Sequence, residues 1–187
     1  MSTSISNAPY HHGNLRHALL EAALVILERN GEAGLGLRDL ARAVGVSPGA
    51  PYRHFDGRTG LLEALAVTGF RRFTQMMADV GAANPPDPLA AMGRAYVLFA
   101  LDNGNLFRLM FSPQLQRANR PGLRMAADAA FATLRRVTGG NGRENRISAL
   151  AAWARVHGLA VLLLDGQIAL EAGEDISALI AEIIGPA

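Results

Sequence analysis

Apolar residues recur along most of this chain at spacings of three and four, the period of a helix lying on a core. Leu15, Leu19, Ala22 and Ile26 form such a stripe and predict a first helix from about Asn14 to Asn30, with Gly31 as a left-handed stop. Leu37, Leu40, Ala41 and Val44 predict a short second helix, broken by Gly45. A third short helix is expected after Ser47, ending near Phe55. A longer one, from about Arg58 to Val80, carries Leu61, Leu62, Leu65, Phe70, Phe73, Met76 and Met77 on a broad apolar face.

The segment Gly81 to Pro88 is the clearest punctuation, with Asp87 placed to cap the next helix and Pro88 suited to its first position. That helix carries Leu89, Met92, Tyr96 and Phe99 and should stop near Asn103 and Gly104. A short apolar segment, Leu106 to Phe111, follows. Further helices are expected from Pro121 to the glycines at 139–142, from Arg143 to Leu164, and from Asp175 onward. No stretch shows the β-branched alternation of a strand. The prediction is an all-α chain of about nine helices. Residues 1–80 should form a three-helix helix-turn-helix unit with its connecting helix, and residues 81–187 a second helical unit.

Composition narrows the classes. The hydrophobic fraction of 50% supports a sizeable core, and the absence of cysteine removes disulfides and thiolate metal sites. The polar start, MSTSISNAPYHHGN, lacks the apolar stretch of a signal peptide, and the run Gly158 to Leu164 is too short to span a bilayer. A cytoplasmic protein without membrane partners is expected. Net charge is only +2, but its distribution is uneven: four of the five histidines lie in the first third, and no arginine follows residue 166. The N-terminal part is therefore the better candidate to face a polyanion.

The run LRDLARAVGVSPGAPYRHFDGRTGLL, Leu37 to Leu62, has the layout of a helix pair that enters a DNA groove. Gly45 allows a positive φ at the turn, Ala41 a close helix crossing, and Val46 a plug between the helices. Ser47 can cap the second helix and Pro48 fits its first position, so Tyr52, Arg53 and His54 are offered outward while Phe55 turns back into the core. The backbone amides of Ser47, Pro48's neighbour Gly49 and Ala50 would lie at a helix N-terminus, which suits phosphate. Arginine can grip guanine O6 and N7 with two bonds. An ordinary αα corner fits the same pattern. Pro51 would be the fourth helical residue and cannot donate to the Ser47 carbonyl, so the first turn should be distorted or the helix delayed by one or two residues.

These residues resemble the DNA-binding domain of the TetR family of bacterial transcription regulators, with similarity from about Tyr10 to Leu65. Farther on, AAWARVHG is similar to a Trp-His-Gly signature in the C-terminal domain of one subgroup of that family. The resemblance implies a backbone contact for Tyr52, base or phosphate contacts for Arg53 and His54, and phosphate contacts for Arg58 and Arg38, with His11 and His12 near the backbone at the start of the first helix. It makes Ser47, Pro48, Gly49 and Ala50 part of the DNA-binding set. Glycine stands at Gly36 and Gly57, where the family usually has serine or threonine caps.

The family further implies a homodimer on a palindromic operator and a pocket for a largely hydrophobic small-molecule effector. Candidate pocket residues are Met92, Tyr96, Phe99, Phe107, Met110, Phe111, Trp153 and His157, with Arg108 and Arg155 able to select an anionic group. Aromatic and Met stripes at helical spacing also make plain core. The Arg143 to Leu164 helix is apolar on nearly all sides and must be covered, by its own core or by a partner. No cofactor and no metal site is expected. The rival readings are an effector-independent regulator and a helical ligand-binding or hydrolytic protein. Gly45 to Gly49 spells the G-x-S-x-G of a hydrolase elbow, but that motif needs a preceding strand and an N–H on the residue after the serine, and Pro48 has none.

Overall fold

Helices make up the regular structure of the described residues, 12–115, 119–171 and 173–185 of a computed structural model, and no strand occurs among them. There are eight α-helices: α1 (His12–Asn30), α2 (Leu37–Val44), α3 (Gly57–Ala82), α4 (Pro88–Asp102), α5 (Gly104–Met110), α6 (Pro121–Val137), α7 (Gly142–Leu164) and α8 (Ile176–Ile184). Three short 3-10 turns, Glu32–Gly34, Pro51–Arg53 and Pro113–Leu115, lie between them. The ninth helix expected from sequence is the second of these turns.

Packing divides the chain after Leu65, inside α3, so that helix begins in one unit and continues into the other. The first unit has α2 against α1. Its core holds Leu15, Leu19, Leu20, Ala23, Leu24 and Leu27 of α1 with Leu37, Leu40 and Ala41 of α2, and Leu61 and Leu65 are fully covered. The buried stripe of α1 therefore runs through Ala23 and Leu27; Ala22 and Ile26, expected on it, are only half-buried. Leu20 and Leu24, also buried, widen the covered face on the other side.

The second unit has α4 at its centre, packed by α7, α8, α5 and α6. The caps follow the expected chemistry. The Asp87 carboxylate accepts from the Ala90 amide at 2.9 Å, with Pro88 in the first turn of α4. Asp175 does the same for α8 through the Ala178 amide, also at 2.9 Å. Between α6 and α7 the buried side chain of Asn145 donates to the Arg135 and Gly139 carbonyls at 2.7 and 2.6 Å and accepts from Arg135 Nε at 2.6 Å. It thereby occupies carbonyls at the end of α6 that have no intrahelical donor.

Helix α7, at 23 residues, is by length and composition apolar enough to cross a bilayer. The described residues do not cover it all round. One side, Ala149, Val156, Leu159 and Ala160, is buried, whereas Ile147, Ala151, Ala154 and Leu162 are exposed. Gly158 lies on that same open side, and a Cβ built on it would meet nothing within 4 Å.

Candidate nucleic-acid interface and apolar cavity

Gly45 closes α2 in the left-handed conformation, φ 74° and ψ 32°, with its amide bonded to the Ala41 and Arg42 carbonyls. Only glycine adopts that conformation without strain. Ser47, Pro48 and Gly49 follow, all exposed, and Ala50 is half-buried. No α-helix forms here. The amides of Ala50 and Arg53 bond three residues back, to the Ser47 and Ala50 carbonyls, at 2.9 and 3.2 Å. Pro51, buried at the start of the 3-10 turn, has no N–H with which to close an α-helical ring to Ser47. The expected distortion is present and extends over the whole element, since only the Phe55 amide, bonded to the Pro51 carbonyl at 3.0 Å, restores a four-residue step.

Tyr52 is 54% exposed, and Arg53 beside it is also exposed. His54 is half-buried and Phe55 is buried. The Arg16 guanidinium lies 5.5 Å from the Phe55 ring centre, a cation–π contact across the unit that no short-range sequence signal announces. Arg38 is exposed on the first turn of α2. His12 opens α1, and His11 lies outside the described residues.

Arg58, expected from the resemblance to contact phosphate, makes bonds within its own unit. Its Nη2 donates to the Glu32 carbonyl at 2.6 Å and its Nε to the Leu35 carbonyl at 3.2 Å, with the Glu32 carboxylate 3.9 Å away. The half-exposed guanidinium thus ties the connection between α1 and α2 to the start of α3. Gly57 precedes it with φ 64°, a value that explains glycine where serine is usual. Ser47, the apparent elbow nucleophile, sits after a helix in an exposed turn and is followed by Pro48, which offers no oxyanion donor.

In the second unit, α3, α4, α6, α7 and α8 line a cavity of about 130 Å³, open on one side. Its wall includes Met92, Tyr96, Phe111 and Trp153 from the expected set. Phe99, Phe107 and Met110 are not on the wall; they are 8%, 2% and 1% exposed and belong to the core around it. Missed by sequence reasoning were Phe70, Phe73 and Met77 of α3, Phe131 and Leu134 of α6, and Ile184 of α8. Their helical stripes were visible, but nothing in a stripe distinguishes a cavity wall from filled core. Arg108 is also elsewhere, bound to the Asp165 carboxylate and the Leu164 carbonyl at the end of α7, each at 2.9 Å. Arg155 does line the cavity, with a guanidinium N–H on the Ile183 carbonyl.

His157 is not on the wall but supports it. Its Nδ1 is 2.8 Å from the Tyr96 hydroxyl, which also accepts from Trp153 Nε1 at 3.1 Å. The spacing Trp153 to His157 is one helical turn, so both side chains reach Tyr96 from the same face of α7. The His157 ring also packs on Phe111, centroids 4.6 Å apart. The Trp-His pair thus fixes the orientation of an aromatic cluster bordering the cavity.

A left-handed glycine turn joining α2 to an exposed Tyr-Arg element has the layout of the helix-turn-helix class of DNA-binding proteins. Residues 19–65 match the family described as "Bacterial regulatory proteins, tetR family", and residues 89–185 match "Tetracyclin repressor-like, C-terminal domain". The chain belongs to the TetR family, whose members are DNA-binding transcriptional regulators and not enzymes. It is 35% identical to a solved protein of unknown function from Rhodococcus sp. RHA1, with 95% of this chain and 93% of that one covered and a TM-score of 0.78. A structure described as regulatory protein SCO4313 is 25% identical, with 94% and 97% covered and a TM-score of 0.74. The HTH-type transcriptional regulator YobS of Bacillus subtilis (strain 168) is 29% identical over 92 residues, 49% of this chain. That alignment spans 48% of YobS, about half of its length.

Proposed function

We propose that this protein is a cytoplasmic, ligand-responsive repressor that binds a palindromic operator as a homodimer. The observation that carries the reading is the double use of α7: one side borders an apolar cavity, while Ile147, Ala151, Ala154 and Leu162, with Gly158 among them, form an apolar strip that the described residues leave open. Such a face on a soluble regulator calls for a second helix. Its small residues allow close approach, and a twofold axis there would make the contact self-complementary. Two Tyr52–Arg53 elements would then meet half-sites about one helical turn apart, or a multiple of it.

The cavity supplies the second half of the reading. Helix α3 is continuous from Gly57 to Ala82, contributing Leu61 and Leu65 to the first unit and Phe70, Phe73 and Met77 to the cavity wall. A ligand that favours one position of α3 has a covalent route to the DNA-binding unit.

The test is anisotropy of labelled duplexes from the region upstream of the protein's own coding sequence, combined with sedimentation. Saturable, salt-sensitive binding by a dimer is expected, lost on Tyr52→Ala or Arg53→Ala with the circular dichroism unchanged. A monomer at micromolar concentration, with and without DNA, overturns the homodimer. A dimer whose DNA affinity no apolar compound alters overturns ligand response and leaves a constitutive regulator.

A further inference from the structure

We propose that the cavity takes an apolar monocarboxylate, with its hydrocarbon body against the aromatic wall and its carboxylate at Arg155. The inference rests on the effector-cavity reading above and names the chemical class of ligand. The wall sets the body of the ligand: Phe70, Phe73, Met77, Phe131 and Trp153 present rings and thioether, and a largely hydrophobic lining is the usual setting for a small molecule of this size. Charge sets the head. Arg155 is the one charged residue among the described residues lining the cavity, and neither Asp nor Glu joins it. An apolar cation would meet a like charge with no carboxylate to offset it. A carboxylate would meet a planar donor fork matched to its two oxygens, which relieves the cost of bringing its charge toward an apolar wall. A phosphate monoester calls for a second positive group, and the lining offers none.

Arg155 already has a partner, since one of its N–H groups bonds the Ile183 carbonyl in the last turn of α8. That alone would make it a helix-end residue, because a cation there complements the exposed carbonyls. Five donors in a fork allow both contacts at once. The carboxylate would thereby share a guanidinium with the end of α8, whose Ile184 also borders the cavity. Arg155 is then both the specificity residue for the ligand and its link to the terminal helix.

The chain contains a built-in reporter: its single tryptophan is Trp153, on the cavity wall. Octanoate, octan-1-ol and octylamine, equal in body and different in head, are titrated against the full-length protein while tryptophan emission is followed. Octanoate should bind about tenfold tighter than the alcohol, the scale of a charge-assisted hydrogen bond, and the amine should bind weakest. In Arg155→Gln, octanoate should fall to the affinity of the alcohol, which itself stays unchanged; Arg155→Lys, which keeps the charge, should retain part of the preference even if the glutamine variant folds poorly. Alcohol binding without a carboxylate preference, or a preference that survives Arg155→Gln in a folded protein, overturns the inference and leaves the effector cavity standing. No emission change with any of the three compounds overturns both.

Discussion

Removing the Arg58 guanidinium separates two roles that a basic residue at the start of a DNA-proximal helix can have. In Arg58→Met the aliphatic stem remains, and what is lost are the bonds to the Glu32 and Leu35 carbonyls at 2.6 and 3.2 Å and the 3.9 Å approach to the Glu32 carboxylate. Hydrogen bonds from charged donors contribute about 1.5–3 kcal/mol each when shielded. This side chain is 46% exposed, so water can replace part of each bond, and about 1 kcal/mol apiece is the better figure. The carboxylate contact, longer and open to solvent, adds only about 0–0.5 kcal/mol. The expected loss is therefore about 2 kcal/mol, measured by urea unfolding of the full chain. Salt dependence of DNA binding provides the second readout. Each phosphate contact contributes about −0.9 to the slope of log K against log salt. Arg58→Met should leave that slope unchanged, whereas Arg53→Ala should shift it by up to about 0.9 with little change in stability. Arg58→Lys should recover less than half of the lost stability, because an ammonium cannot reach both carbonyls as a fork does. A destabilisation below about 0.5 kcal/mol together with a slope reduced by about 0.9 would refute the clamp and restore the phosphate contact.

Three further substitutions probe the elements that shape the two sites. Asn145→Ala removes a buried amide that bonds Arg135, Thr138 and Gly139, and should cost about 3 kcal/mol by thermal or urea unfolding, since four bonds are lost and buried groups are left without partners; a cost under about 1 kcal/mol would mean that water replaces it. Gly93→Ala places a Cβ 2.5 Å from Ile184 Cγ2 and 3.4 Å from Val156 Cγ1 on the cavity wall, so it should destabilise by about 1–3 kcal/mol and weaken octanoate binding, and neutrality on both counts would show that α8 shifts freely. Pro51→Ala restores the missing amide and should lengthen the helix around residues 48–54 in backbone chemical shifts. Stability should move by less than about 1 kcal/mol, because a regained bond offsets a less restricted unfolded chain. Persistence of the 3-10 pattern would shift the cause to Gly49.

The elements whose ends are chemically marked were legible in the sequence. Gly45 stops α2 where the turn needs a positive φ, and Asp87 and Asp175 cap α4 and α8 through the amides three residues on. Tyr52 and Arg53 were expected to be exposed, and they are. Pro51 signalled a distorted recognition element, although not that the distortion would leave a 3-10 turn in place of an α-helix. Long-range pairing was hidden. Arg58 and Glu32 are 26 residues apart, and their meeting depends on how the loop after α1 folds back, which no local pattern encodes. The cavity was half legible for a related reason. Phe99 and Tyr96 share a stripe on α4, yet Tyr96 borders the cavity and Phe99 packs on Phe73 with ring centres 5.3 Å apart. A rotation of about 60° around the helix separates wall from core, and both side chains are large and aromatic.

Helix α7 shows how far this degeneracy reaches. Its residues are apolar around most of the circumference, a pattern that predicts full burial. Full burial is not what one chain provides: Val156, Leu159 and Ala160 enter the core, Trp153 borders the cavity, and Ile147 and Leu162 remain 46% and 45% exposed. A helix turns 100° per residue, so three such surfaces fit on 23 residues only if their positions interleave. The interleaving explains the Trp-His-Gly motif physically. Trp153 and His157, four residues apart, both reach Tyr96, and Gly158, one step on, is rotated onto the open strip, where a Cβ would find empty space. A side chain at 158 would fit the isolated chain without a clash, so packing within one copy does not call for glycine there. The requirement for glycine arises only if another helix approaches that strip. Gly158→Leu should therefore leave the fold of a single chain unchanged and shift the protein from dimer toward monomer in sedimentation. A dimer of undiminished affinity would place the interface on another face.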